Sequence, residues 1–359
     1  MNTNASKIEN GRGRRPAMPW DIRTRFFGLI ADLDDLGLRP PRLLLIFLNA
    51  VYQAYRRRVG WAWKARRMGL RVRELRTHHG EVAGIREFTT EGGSHTVVIR
   101  EPEHRRFVGY TVEYPRYTQV FPPPFICRLD DAFVHVPSGG VIASGGTVIA
   151  ESAGHKVERF LKLGPPPAAS TPRPGTCSTL MHALHGNYYH WLIDCLSRTY
   201  LLAKFQWPGP IDLLVPHGLA PFQRQTLECC LPDNVRAREV RDEWVRAEHL
   251  ILPSFAADPH NGFLPPDCLI YLREKIFQRF GLTGTGQARR RLYVSRARTG
   301  WRRVVNEEEI IDCLSRFGFE TVRPEELSFE EQVRLFHSAE AVIGARGAGL
   351  TKHHLLKQA

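Results

Sequence analysis

The sequence predicts an α/β protein with two doubly wound halves, preceded by a basic helical leader and a small β-rich unit. Helical patterns alternate with short apolar runs after residue 175, and a glycine-rich turn follows the last run. With 43% hydrophobic and 24% charged residues, the 359-residue chain has globular composition. We divide it into a leader (1–80), the β-rich unit (81–163), a first half (176–280) and a second half (291–359).

Membrane-spanning, secreted and cysteine-zinc proteins are all disfavoured. The longest uncharged apolar stretch, 43–55, has 13 residues, whereas a transmembrane helix needs about 20. Residues 1–20 contain no apolar core of a secretory signal. The seven cysteines form no CxxC pair, which predicts reduced thiols in a cytosolic protein.

The net charge of +13 is concentrated in the leader. Residues 1–80 carry 17 Lys and Arg against 6 Asp and Glu, and the remainder carries 33 against 31. A helix predicted after Pro41 ends in three arginines at 56–58. This pattern is typical of a segment lying on an anionic membrane surface, and it equally fits a buried helix with a solvated arginine face. No recognition motif accompanies the charge, so we expect no specific nucleic-acid partner.

The elements of the first half follow from apolar periodicity. Short β-type runs within 81–163 predict a small antiparallel unit, and a proline-rich connector at 164–175 follows it. The first half is then predicted to contain helices at 188–205, 221–231 and 265–280, and strands at 211–215 and 250–252. The glycine-rich stretch 281–289 is interpreted as a flexible hinge.

The second half alternates most clearly between strand and helix. Strands are predicted at 292–295, 319–322 and 341–344, and helices begin at Asn306 and Ser328. Ser328 and Glu331 have the spacing of a capping box, which marks the start of a helix. This order is one half of a doubly wound nucleotide-binding fold, and two such halves enclose a ligand cleft.

Loops of the second half predict an anion-binding site. The glycine-rich turn 344–351 follows a strand, where backbone amides can approach a phosphate. Arg296 and Arg303 follow the first strand of the same half. Because parallel strands bring their carboxyl ends to one edge, these groups can form a diphosphate cradle. The alternative is a basic surface loop beside a structural turn.

A polar stripe on the helix predicted at 188–205 is the second candidate site. His190, Asp194 and Arg198 recur every four residues and share one face, which Asn187 and Trp191 border. A His–Asp pair can hold a proton acceptor, and Arg198 can fix the carboxylate. A structural network at a helix surface is the alternative.

Metal binding is not expected. Four nearby residues have spacings that could suggest zinc, namely Cys177, His182, His185 and His190. They lack a tetrahedral pairing pattern, so we interpret them as core or cleft residues.

Several motifs occur in a fixed order between residues 130 and 351. They are His190-Trp191-x-x-Asp194, Tyr293-x-Ser295-Arg296, Arg303-x-x-Asn306-Glu307, Gly318-Phe319-x-x-Val322-x-Pro324-Glu325, Leu327 to Gln332, and Ile343 to Thr351. In this order they resemble glycosyltransferase family 61, whose bacterial members are associated with capsular or exopolysaccharide biosynthesis.

The resemblance implies a B-type glycosyltransferase fold of two Rossmann-like halves. It also implies an inverting reaction that uses a nucleotide-sugar, such as a UDP-sugar, without an essential metal or other cofactor. The donor diphosphate or nucleotide would be bound by Arg296, Arg303, Glu325, Gln332, Gly347, Ala348, Gly349 and Thr351.

The acceptor side of the predicted site carries the catalytic base. A base must take the proton of the attacking acceptor hydroxyl. Asp194 is the favoured candidate and His190 its competitor, and the sequence leaves the choice open. Asn187, Trp191 and Arg198 would support the acceptor side.

The chain departs from the family pattern at two points. First, Lys352 stands directly after Gly-Leu-Thr, where family members commonly have Asn. Second, the second half has 69 residues, and we expect it to be cut short. We expect hexosyl or pentosyl transfer to a glycan or lipid-linked glycan in cell-surface polysaccharide biosynthesis. The enzyme would act in the cytoplasm or on the inner face of the plasma membrane. The alternative is a non-catalytic remnant or binding partner with the same fold.

Overall fold

The computed structural model describes residues 61–92, 94–99, 105–107, 110–112, 117–168, 170–256, 264–282, 289–300, 303–345 and 347–355. The chain divides into two compact units, residues 1–66 and 67–359. The helix predicted within 43–55, like most of the leader, lies outside the described residues. Within the described ranges, no helix has the length and apolarity needed to cross a membrane.

The described residues form the following strands and α-helices. The strands are β1 (Arg71–Arg73), β2 (Ile85–Thr90), β3 (His95–Ile99), β4 (Arg105–Phe107), β5 (Tyr110–Val112), β6 (Tyr117–Phe121), β7 (Phe125–His135), β8 (Gly140–Ala143), β9 (Thr147–Ile149), β10 (Arg173–Ser178), β11 (Ile211–Pro216), β12 (Val235–Val240), β13 (Trp244–Pro253), β14 (Arg290–Val294), β15 (Phe319–Val322) and β16 (Ala339–Gly344). The α-helices are α1 (Trp61–Arg67), α2 (Leu75–His78), α3 (Val157–Phe160), α4 (Tyr188–His190), α5 (Thr199–Phe205), α6 (Pro221–Cys230), α7 (Pro266–Arg279), α8 (Glu307–Ser315) and α9 (Phe329–His337).

A nine-stranded mixed sheet forms the larger part of the fold. Its order is β1-β9-β8-β7-β13-β10-β11-β12, and β2 also pairs with β7. Strands β10 to β13 pair in parallel, whereas β13 pairs antiparallel with β7 over most of its length. Strand β7 is largely buried, as expected for a central strand covered on both faces. Within the β-rich residues 81–163, strands β2, β7, β8 and β9 therefore share one sheet with the predicted first half, whereas β3 pairs with β6 and β4 pairs with β5 in two separate sheets.

Strands β14, β15 and β16 form a separate parallel sheet in the order β15-β14-β16. These strands, and helices α8 and α9 between them, confirm the element prediction for the second half. The capping box is also confirmed, since Ser328 N donates to Glu331 Oε2 at 2.7 Å and Glu331 N donates to Ser328 Oγ at 3.3 Å. The carboxyl ends of the three strands lie at one edge, which is where the predicted anion-binding loops begin.

One hydrophobic core supports the regions that carry both candidate sites. It contains buried side chains from the helical segment 188–205, from α7 and α9, and from β14. The mixed α/β class is thus confirmed, while the division into two Rossmann-like halves and the shortened second half stay predictions. Strand β12 was not predicted, and β10 begins inside the predicted connector.

Candidate active site

The helical segment 188–205 forms as predicted, but not as a single α-helix. Asn187 caps its start, because its Oδ1 accepts hydrogen bonds from Tyr189 N and His190 N at 3.0 and 3.4 Å. A π-helical turn at Trp191–Cys195 and a 3₁₀ turn at Leu196–Arg198 then precede α5. The fully buried Trp191 donates from Nε1 to Thr226 Oγ1 at 2.8 Å. Asn187 and Trp191 therefore fix the start of the segment, and π-turns often mark functional sites.

His190 and Asp194 form a tight pair within this segment. His190 Nδ1 donates to Asp194 Oδ2 at 2.6 Å. An ionised carboxylate can only accept, so the proton of a neutral His190 sits on Nδ1 and its Nε2 is the free acceptor. The Asp194 side chain is 3% exposed, against 19% for His190. Asp194 thus orients the ring and His190 presents the accessible basic atom, the arrangement found in Ser-His-Asp triads.

Arg296 lies against the glycine-rich turn after β16. A Cβ added to Gly347 would overlap the guanidinium of Arg296, so the glycine is what allows this approach. Of the predicted diphosphate cradle, the structure therefore brings Arg296 and the glycine turn together.

Glu307 holds the turn that carries Arg296. Its Oε1 accepts hydrogen bonds from Arg296 N at 3.0 Å and from Tyr293 Oη at 2.9 Å. Burial raises the pKa of Glu307, but these bonds and one with Ser295 outweigh it, so the pKa lies below its usual value. Glu307 was assigned no role from the motifs, although its place at the start of α8 is a signal for an anion near a helix N-terminus.

The other predicted donor residues divide into two groups. Gln332 is buried and donates from Nε2 to the carbonyl oxygens of Pro324 and Leu327 at 2.7 and 2.9 Å, which holds the turn bearing the exposed Glu325. Arg303 is exposed, and no described contact joins it to Arg296 or the glycine turn.

The glycine turn continues directly into a 3₁₀ helix at Ala348–Leu355. This helix contains Gly349, Thr351 and Lys352, and it packs against α4 and α9. Because α4 ends at His190, the 3₁₀ helix that follows the turn is in contact with the segment that carries the His–Asp pair. The predicted donor and acceptor sides are therefore neighbours in the structure.

Residues 188–358 match the family model described as Glycosyltransferase 61. This part of the chain belongs to glycosyltransferase family 61. The match confirms the predicted resemblance and contains both the His190–Asp194 pair and the Arg296 loop. The chain has no significant match among curated protein sequences. The protein thus carries a glycosyltransferase domain.

A third residue, His182, adjoins the His190–Asp194 pair from just before the matched residues. His182 Nδ1 lies 3.9 Å from Asp194 Oδ2 and accepts a hydrogen bond from Leu184 N at 3.3 Å. Ligand atoms of His182, His190 and Asp194 all lie within 4.8 Å of one another, so the trio has the composition of a metal site. Of the four residues considered as zinc ligands in the sequence analysis, two, His182 and His190, belong to this trio. A short His190–Asp194 hydrogen bond already uses one possible ligand atom of each residue.

Arg198 departs from the predicted stripe. Its side chain is fully buried, with Nε donating to Pro253 O at 3.0 Å and Nη1 donating to Met181 O at 3.3 Å. The guanidinium also lies over the Phe255 ring, 4.3 Å from the centroid. The π and 3₁₀ turns between Asp194 and Arg198 change the rotation per residue, so regular four-residue spacing no longer defines one face. Burial lowers the pKa of Arg198 to about 10, and its role is to tie the segment to β13.

We expect Arg198→Met to lower the free energy of unfolding of the protein by about 2–5 kcal/mol, since buried carbonyl oxygens would lose their donors. Urea denaturation measures this loss. Arg173→Met is the matched control, because that half-exposed arginine pairs with Asp212 at 3.0 Å near the surface and its loss should cost under about 1 kcal/mol. Equal losses of stability in the two variants would contradict the role of Arg198 in tying the helical segment to β13.

Proposed function

We propose that the family 61 domain transfers a sugar from a nucleotide-sugar donor to an acceptor hydroxyl, with inversion at the anomeric carbon and without a metal. The observation that carries this proposal is the orientation of His190, whose Nε2 is left free by the Nδ1 hydrogen bond to Asp194. A second group, Arg296 against Gly347, supplies positive charge on a backbone that a phosphate can approach.

The proposed reaction is a single displacement. The acceptor oxygen forms a bond to the anomeric carbon while the bond from that carbon to the phosphate oxygen breaks. The hydroxyl proton passes to His190 Nε2, and Asp194 stabilises the imidazolium that results. Arg296 and the turn amides stabilise the negative charge that develops on the leaving nucleoside diphosphate. His190 is therefore the proposed base, in place of Asp194, which the sequence favoured.

The proposed acceptor is a glycan or lipid-linked glycan of a cell-surface polysaccharide. Support comes from the family and from the charge of the leader, where 17 basic residues stand against 6 acidic ones. Such a leader would hold the enzyme on the anionic inner face of the plasma membrane through arginine–phosphate contacts.

A nucleotide-sugar panel tests the proposed function. We expect the protein, treated with EDTA, to transfer sugar from one nucleoside-diphosphate donor, with an added hexosyl or pentosyl mass on the acceptor by mass spectrometry. Activity that is lost in EDTA and restored by a divalent cation would contradict metal independence and implicate the His182–His190–Asp194 trio. A protein that binds no nucleoside diphosphate would instead support the non-catalytic alternative.

A further inference from the structure

Lys352 is a buried cation in the 3₁₀ helix that follows the glycine turn. The residue is 4% exposed, and its Nζ lies 4.0 Å from the centroid of the Tyr188 ring and 6.0 Å from that of Phe336. No carboxylate in the described part of the chain lies within ion-pair distance of this ammonium. Glu325 is the described charged group that favours its protonation, while burial opposes it and lowers the pKa to about 8.

A buried ammonium of this kind opposes folding unless something compensates it. The aromatic faces of Tyr188 and Phe336 supply part of the compensation. They do not supply the hydrogen-bond acceptors that an ammonium with three donors requires. An uncharged side chain of similar length would fit these apolar surroundings at lower cost. The lysine therefore has the character of a group held for a ligand.

Two buried hydroxyl groups, on the residue before Lys352 and on the ring that its ammonium faces, also lack partners in the described part of the chain. Thr351 Oγ1 and Tyr188 Oη are buried and make no hydrogen bond to any described residue. Thr351 is the adjacent residue in the chain, and Tyr188 lies under the ammonium. Burial raises the pKa of Tyr188, so its hydroxyl remains a neutral donor. An ammonium and neutral hydroxyl donors are groups of the kind that bind phosphate oxygens.

We infer that Lys352 is a further phosphate-binding residue of the donor pocket, next to Thr351, for which the family resemblance already implies such a role. Arg296, from the loop after β14, meets the glycine turn at Gly347, and Lys352 lies five residues after that glycine. The two loops together thus offer two cations, and a nucleoside diphosphate has two phosphates. This inference rests on the proposed function, because it takes the phosphate to belong to the donor.

Calorimetric titration tests the inference with Lys352→Met, which keeps the length of the side chain, and Lys352→Arg, which keeps its charge. The probes are UDP, GDP and dTDP at pH 8. We expect Lys352→Met to weaken binding of the preferred nucleotide by about 10-fold or more, and Lys352→Arg to weaken it by less than about 3-fold.

Proton uptake provides a readout that a merely structural lysine would not change. With a pKa of about 8, Lys352 is only partly protonated at pH 8. A bound phosphate would favour the protonated form, as Glu325 does. Tyr188 is the described titratable residue whose ring faces the ammonium. Titrations in two buffers of different ionisation enthalpy should show uptake of up to about half a proton by the wild type. That uptake should be lost in both variants.

The folded state of the Met variant is checked by urea denaturation. Because burial lowers the pKa of Lys352, the unfolded chain binds more protons between about pH 8 and its ordinary pKa, so wild-type stability rises with pH across that window. Lys352→Met should therefore be at least as stable as the wild type at pH 7, with an advantage that shrinks by pH 10.

The outcomes distinguish the phosphate-binding role of Lys352 from the proposed function. If Lys352→Met binds the nucleotide and takes up protons as the wild type does, that role is wrong and the proposed function is unaffected. A wild-type protein that binds none of the three nucleotides would overturn both.

Discussion

His190→Ala is expected to lower kcat for sugar transfer by about 10³-fold while binding of the nucleoside diphosphate changes by less than about 2-fold. The reason is that His190 Nε2 is the accessible acceptor of the pair, and its loss removes the proton transfer without touching the donor loop. Single-turnover transfer and calorimetric titration of the same preparation measure the two quantities.

Asp194→Asn tests the same pair from its other side. A side-chain amide can donate to His190 Nδ1, which places the ring proton on Nε2 and removes the acceptor, so we expect a loss of about 10²–10⁴-fold in kcat. His217→Ala is the matched control, because that half-exposed histidine pairs with Glu239 on the surface and should leave kcat unchanged. If Asp194→Asn is inactive while His190→Ala keeps most of its activity, Asp194 is the base.

The His–Asp pair could be predicted from sequence because it depends on local spacing. His190 and Asp194 are four residues apart, and this contact survives the π-turn between them. The strands of the second half were predictable for a related reason, since caps such as Ser328 and apolar periodicity are local signals.

Other features depend on contacts between distant residues. Arg198 bonds to the carbonyl of Pro253, 55 residues away, and no spacing rule specifies such a partner. Strands β7 and β13 lie more than 100 residues apart in sequence, so their pairing into one sheet could not be predicted from either strand. Lys352 was noticed only as a departure from a motif, because its burial depends on Tyr188 and Phe336 in other elements.

Gly347→Ala is expected to weaken nucleoside-diphosphate binding by about 10- to 100-fold, because the new methyl group must displace the Arg296 guanidinium. Calorimetric titration with UDP, GDP and dTDP measures the loss. Gly300→Ala is the matched control, since a Cβ there meets no atom within 4 Å. Unchanged binding in Gly347→Ala would contradict a donor site at this turn.

A double-mutant cycle shows whether the glycine acts through Arg296. If the methyl group weakens binding by moving the guanidinium, then Gly347→Ala should add little to the loss already caused by Arg296→Ala. Additive losses would mean that the glycine contributes separately, through the approach of its own backbone to the phosphate. Because Glu307 accepts from the backbone N–H of Arg296, the turn keeps its anchor when the side chain is removed, and the cycle then reports on the guanidinium alone.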